Sequence, residues 1–161
     1  MTNIEHQSLN ETVRYILAGP HLSVLATIEP DGTPQTSVIF VKQDGETILF
    51  STIRGRRKAL NMSRDPRVNL LIHGLPTDRP NQAGDGPNYA AISGTVQLTD
   101  DPSGAFHQDM YDLHMGGATP PPEPGAQRVI VRIVPQHVYI PTYAAIVGAA
   151  GDADEQRTQE R

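Results

Sequence analysis

"HLSVLATIEPDGTPQTSVIFVKQDGETILFST", from His21 to Thr52, decides the fold. It holds three aliphatic and β-branched runs, His21–Ile28, Gln35–Lys42 and Thr47–Thr52, each the length of a strand. Pro30-Asp31-Gly32 and Asp44-Gly45 separate them, and both carry the residues that tight turns demand. Connections this short join antiparallel strands, because a parallel crossover needs a dozen residues or more. The stretch therefore predicts an antiparallel meander.

The same reading extends outward. Ser8-Leu9-Asn10-Glu11 has the spacing of a capping box and opens a helix through Leu17, which Gly19-Pro20 stops. After the third strand, Arg56 to Met62 reads as a short helix before Asp65-Pro66. Val68–His73 is a fourth strand, and Tyr89–Leu98 a fifth with Gly94 as a bulge. Asp100–Met115 reads as a helix whose acidic start suits the helix dipole. Gln127–Tyr139 is a sixth strand, broken near Pro135. Gly74–Asn88 and the Pro/Gly-rich Gly116–Gly125 are loops. Six antiparallel strands with short helices are mainly β, and closing the sheet into a small barrel buries both the aliphatic rows and the edges.

Residues 1–141 form one domain on this reading. Residues 142–161 are a tail, and its last ten positions have the composition of a disordered end. The chain holds no Cys, which excludes disulfides and thiolate metal sites and fits a reducing cytoplasm. With no basic leader before an apolar run and no long apolar stretch, the expectation is a cytoplasmic protein with no membrane partner. His107, Tyr111 and His114 share one helix face, but His-x6-His is no ligand spacing. The expectation there is a surface face and no metal.

The charge distribution points to a site. The chain is acidic, with formal net charge −5, yet Phe50–Val68 carries Arg54, Arg56, Arg57, Lys58, Arg64 and Arg67, six of its thirteen basic residues. Arg56, Arg57 and Lys58 fall at the first turn of a helix, the end at which the dipole disfavours cations. Ser51 and Thr52 offer hydroxyls beside them, and Gly55 lets a ligand come close to the backbone. An anion reverses the balance, since hydrogen bonds to charged groups are worth roughly 1.5–3 kcal/mol each. Nucleic acid is excluded as that anion, because the chain is acidic and only Phe50 stands near the cluster for stacking. A phosphorylated small molecule is the remaining class.

The "LATI-PDG-PQ" hairpin, "FSTIRGRRKA-N" and "RDPRV" resemble the flavin/deazaflavin-binding split-barrel superfamily, the pyridoxamine 5'-phosphate oxidase-like proteins. Within it they are most similar to the actinobacterial F420-dependent oxidoreductases. The likeness is specific over His21–Ile72 and reaches Val138 more weakly through "AAISGTVQL" and "RVIVRIVPQHV". It implies a homodimer of six-stranded split barrels with the cofactor, coenzyme F420 or alternatively FMN, in a groove between subunits. Carried over, cofactor phosphate falls to Ser51, Thr52, Arg56, Arg57 and Lys58, with Arg54 at the groove edge. Val38, Ile39 and Phe40 lie along the ring, and Tyr89 approaches it. The implied activity is hydride transfer between reduced F420 and an unsaturated small-molecule substrate. An FMN-dependent oxidoreductase or a non-enzymatic flavin or haem binder is the alternative. Thr36-Ser37 and "RIVP" (Arg132–Pro135) depart from the vitamin-oxidising members, which argues against vitamin B6 oxidation. No catalytic residue is implied, because the cofactor carries the chemistry.

Overall fold

The computed structural model describes residues 8–19, 22–73 and 89–140. The loop expected at 74–88 and the tail at 142–161 lie outside them. The elements run α1 (Glu11–Leu17), β1 (Leu22–Ile28), β2 (Pro34–Phe40), β3 (Lys42–Asp44), β4 (Thr47–Ile53), α2 (Arg57–Arg64), β5 (Arg67–His73), β6 (Tyr89–Asp100), α3 (Ala105–His114) and β7 (Arg128–Tyr139). All pairings are antiparallel, in the order β2-β1-β5-β6-β7-β4-β3.

Two corrections follow. The second expected strand is two strands, because the chain changes partner at Val41, pairing with β1 before it and β4 after it. That makes seven strands among the described residues where six were expected. Nor is the sheet a simple meander, since β4 does not pair with β5. Instead α2 carries the chain across, and β5 adds to the far side of β1. The two edges of the sheet, β2 and β3, are thus joined through Val41 alone. A sheet whose opposite edges are one residue apart in the chain must curl back on itself, and this is the split barrel.

Alternating residues fill the barrel. Leu25, Ile48, Phe50, Leu70, Ile72, Ile92, Val131 and Ile133 point inward and are fully buried. From α1, Val13 and Ile16 join the same core, as does Met62 of α2. The cap of α1 is Asn10, not Ser8: its side-chain oxygen accepts from the Val13 N–H at 3.0 Å. Glu46 ties the helix to the β3–β4 turn, accepting from the Leu9 N–H at 2.8 Å and pairing with Arg14.

The β6–β7 ladder contains the bulge expected at Gly94. Ser93 faces His137 while Gly94 faces Pro135, which leaves Gln136 as the extra residue. β7 runs unbroken through Pro135, since a bulge is where a strand tolerates a missing N–H. A Cβ on Gly94 would stand 2.2 Å from the Val134 carbonyl oxygen, so only glycine fits. The α3 helix starts later than expected. Asp100 belongs to β6, and the buried Asp101 accepts from the His107 N–H at 3.2 Å, supplying the acidic cap from outside the helix.

Candidate functional site

The site begins where β4 ends. Alternation along the strand sends Phe50 and Thr52 into the core and Ser51 to the outer face. Gly55 follows, and Arg56 caps α2 with backbone only, with no acidic residue in the first turn. The helix packs by Ala59, Asn61 and Met62, and Arg56 and Arg57 at its start are exposed. Asn61 fixes its angle, donating to Thr27 Oγ1 on β1 at 3.1 Å, while Thr27 donates to Gln35 Oε1 at 3.0 Å.

Beside this corner runs the end of β2, with Val38 and Phe40 on its outer face. Over it lies α3. His114 stacks on Phe40 with ring centroids 4.6 Å apart, and its Nε2 lies 2.9 Å from the Val41 carbonyl. The cavity they form is partly open to solvent and holds about 230 Å³. Its apolar lining is Val38, Ile39, Phe40, Met110 and Met115; its polar lining is Ser51, Arg56, Lys58, Glu123 and Arg128, together with His107 and Tyr111.

Of the residues named from sequence, the fold brings Val38, Ile39, Phe40, Ser51, Arg56 and Lys58 to one cavity. The others are placed elsewhere. Thr52 is buried on the core side of β4. Arg54 pairs with Asp100. Arg57 Nε stands 2.6 Å from Glu29 Oε1, close enough for an ion pair though not aligned as a hydrogen bond. Tyr89 opens β6, opposite His73. Arg64 donates to the Ile28 carbonyl and to Asn61, so it too is engaged away from the cavity.

Two groups in the cavity stand out. Ser51 Oγ is buried and has no hydrogen-bond partner among the described residues, a costly state for a hydroxyl unless a ligand completes it. Lys58 is half-buried, and its desolvation, helped by the charge of Arg56, pulls its pKa below the ordinary lysine value. Both conditions are relieved by an anion between them.

The sequence reading missed the α3 side of the cavity. His107, Tyr111 and His114 are not a surface face: the first two line the cavity, in edge contact at 5.0 Å, and the third holds Phe40. Their shared helix face was the available signal. Burial lowers the His107 pKa, assisted by Arg128, while Glu123 and Asp101 oppose the shift. Glu123 and Arg128 were legible only as a loop acid and a strand cation. No group of three or more potential metal ligands converges among the described residues.

The pyridoxamine 5'-phosphate oxidase family matches residues 9–140. The chain belongs to that family. Pyridoxine/pyridoxamine 5'-phosphate oxidase of Cupriavidus pinatubonensis is 30% identical over 100 residues, 61% of this chain and 43% of the relative. That of Rubrobacter xylanophilus is 38% identical over 64 residues, 39% of this chain and 30% of the relative. The chain thus spans less than half the length of the curated oxidases it matches. Among solved structures, an F420 reductase superposes with TM-score 0.68 at 31% identity, covering 81% of this chain and 98% of the reductase. Rv2991 of Mycobacterium tuberculosis shares the fold, with TM-score 0.60 at 23% identity, covering 83% and 87%.

Against this pyridoxamine 5'-phosphate oxidase family background, the "RIVP" arginine has a local task. Arg132 bonds Asp44 at 2.7 Å and Thr47 at 2.6 Å, bracing the β3–β4 hairpin against β7. It does not line the cavity. No helix among the described residues is long and apolar enough to cross a membrane.

Proposed function

We propose that the chain is an F420-dependent oxidoreductase, working as a homodimer on an unsaturated small-molecule acceptor. One observation carries the reading: the Ser51 hydroxyl, without a hydrogen-bond partner among the described residues, half-buried Lys58 and Arg56 line one cavity together with Val38, Phe40 and Met110. That is a cradle for a flat ring bearing an anionic substituent. Likeness to an F420 reductase over nearly its whole length favours the deazaflavin. The surplus of positive charge supports a polyanionic cofactor, but through Arg128 rather than through Arg54 and Arg64, which are engaged elsewhere.

When bound, such a cofactor supplies a hydride from its ring carbon. This chain's residues hold the anionic group, present an apolar face to the ring, and keep the His107 pKa below its ordinary value beside the slot. FMN is the alternative occupant that family membership favours, and haem is a third.

The homodimer rests on two further observations. A cavity of about 230 Å³ is small for a whole cofactor, since ligand pockets run roughly 300–1,000 Å³. And an apolar row crosses five strands on the outer face from the cavity wall: Val38, Val24, Leu71, Ala91 and Tyr139, each opposite the next. Val38 and Tyr139, at its ends, are more than half exposed. A second copy seated on this row covers it and completes the slot.

Titration of F420 fluorescence, beside FMN at the same salt, tests the proposal, with the absorption spectrum of freshly purified protein as a first check. Quenching by submicromolar protein is expected with F420. Tight FMN binding with no F420 response overturns it.

A further inference from the structure

Glu123 stands between two cations of the cavity. One carboxylate oxygen lies 3.4 Å from Arg56, and the other pairs with Arg128. All three line the cavity, and Arg128 is nearly buried, its side chain 12% exposed. The acid comes from the loop between α3 and β7, bracketed by Gly116, Gly117 and Gly125, all with positive φ. Pro120, Pro121 and Pro122 lack N–H groups, and among the described residues no backbone–backbone hydrogen bond anchors Thr119 to Pro122. The Glu123 ion pairs tie the loop beyond that segment to Arg56 and Arg128.

We propose that Glu123 is the specificity residue of this cavity: a resident carboxylate between Arg56 and Arg128 that a phosphate dianion displaces and a free carboxylate does not. The inference rests on reading the cavity as an anion site and adds which anion it admits: a terminal phosphate such as FMN carries, rather than the phosphodiester and carboxylates of F420, so it favours the alternative occupant named above. The reason is exchange of like for like. Glu123 is tethered, so it competes at an effective concentration on the order of millimolar or above. A free carboxylate brings the same charge and the same two acceptors without the tether, and gains nothing by replacing it. A phosphate dianion brings twice the charge and a third acceptor, which also reaches Lys58 and Ser51. The same carboxylate keeps Arg128 from being buried unpaired while the site awaits its ligand.

The test is a titration of the full chain with inorganic phosphate and with acetate at fixed ionic strength, following the amide resonances of Ser51, Lys58 and Arg128. Wild type is expected to bind phosphate and show no saturable response to acetate. Glu123→Gln is expected to bind phosphate about tenfold more tightly and to gain measurable acetate binding, so that selectivity falls. Glu123→Asp keeps the charge but draws it back, and lies between the two; it carries the test if the Gln variant melts out. Phosphate affinity unchanged or weakened in both variants overturns the inference while leaving the anion site standing. No phosphate response in any of the three proteins overturns the anion site and the inference together.

Discussion

His114 Nε2 lies 2.9 Å from the carbonyl oxygen of Val41, the residue at which β2 gives way to β3. A carbonyl only accepts, so the ring must carry its proton on Nε2. At the point where the chain leaves one sheet edge for the other, α3 satisfies the carbonyl, and the same ring stacks on Phe40. One side chain thereby couples barrel closure to the wall of the cavity. His114→Ala is expected to cost about 1–3 kcal/mol in urea unfolding and to weaken cofactor binding through Phe40. His114→Gln, which can donate to the same carbonyl, should recover part of the stability but not the stacking.

Arg57 and Lys58 are adjacent in sequence and opposite in role. Lys58→Ala, or Arg56→Ala, should weaken binding of the anionic cofactor by about tenfold or more, with the melting temperature of the empty protein nearly unchanged. Arg57→Ala should do the reverse, losing about 1 kcal/mol of stability by leaving Glu29 buried without its ion pair, and little affinity. Equal losses of affinity in Lys58→Ala and Arg57→Ala would show that the first turn of α2 acts as one undivided cationic patch.

Asn61 sets where that first turn points. It is buried and hydrogen-bonded to Thr27, which is itself bonded to Gln35. Asn61→Leu is expected to destabilise by about 1–3 kcal/mol, measured by chemical denaturation, because it leaves Thr27 short of a donor. Phosphate binding should weaken too, although position 61 does not line the cavity.

The His107 pKa is lowered chiefly by burial, so the folded protein resists protonation more than the unfolded chain does. Its contribution to stability is complete above the unfolded value near 6.5 and is lost as the pH falls below it. The imidazole resonance should titrate below 6.5 in the folded protein, and lower still in Glu123→Gln, because Glu123 opposes the shift. An unshifted midpoint would mean that the ring is solvated and the slot open to water.

Leu71 sits mid-row on the outer face, away from the cavity lining. Leu71→Asp should convert the proposed dimer to monomer in sedimentation velocity, and cofactor affinity should fall with it. A monomeric wild type would remove the completed groove from the proposal.

Local chemistry wrote most elements into the sequence. The β-branched runs, the Pro-Asp-Gly and Asp-Gly turns, and the cations around Gly55 each depend on neighbours in the chain, and each is legible one segment at a time. Even the bulge at Gly94 was legible, although its cause, the Val134 carbonyl 2.2 Å from an added Cβ, is not local. The partner change at Val41 was not, because nothing in "QTSVIFVK" says which edge accepts its last residues. Nor were the ion pairs. Arg54, Arg57 and Arg64 looked as available as Arg56 and Lys58 until folding set Asp100, Glu29 and the Ile28 carbonyl beside them, away from the cavity that Lys58 and Arg56, itself paired with Glu123, line. Sequence by itself determined an antiparallel barrel with cations gathered at a strand end. Tertiary structure alone decided which cations remain for a ligand, because a charge is spent or kept according to distances between residues far apart in the chain.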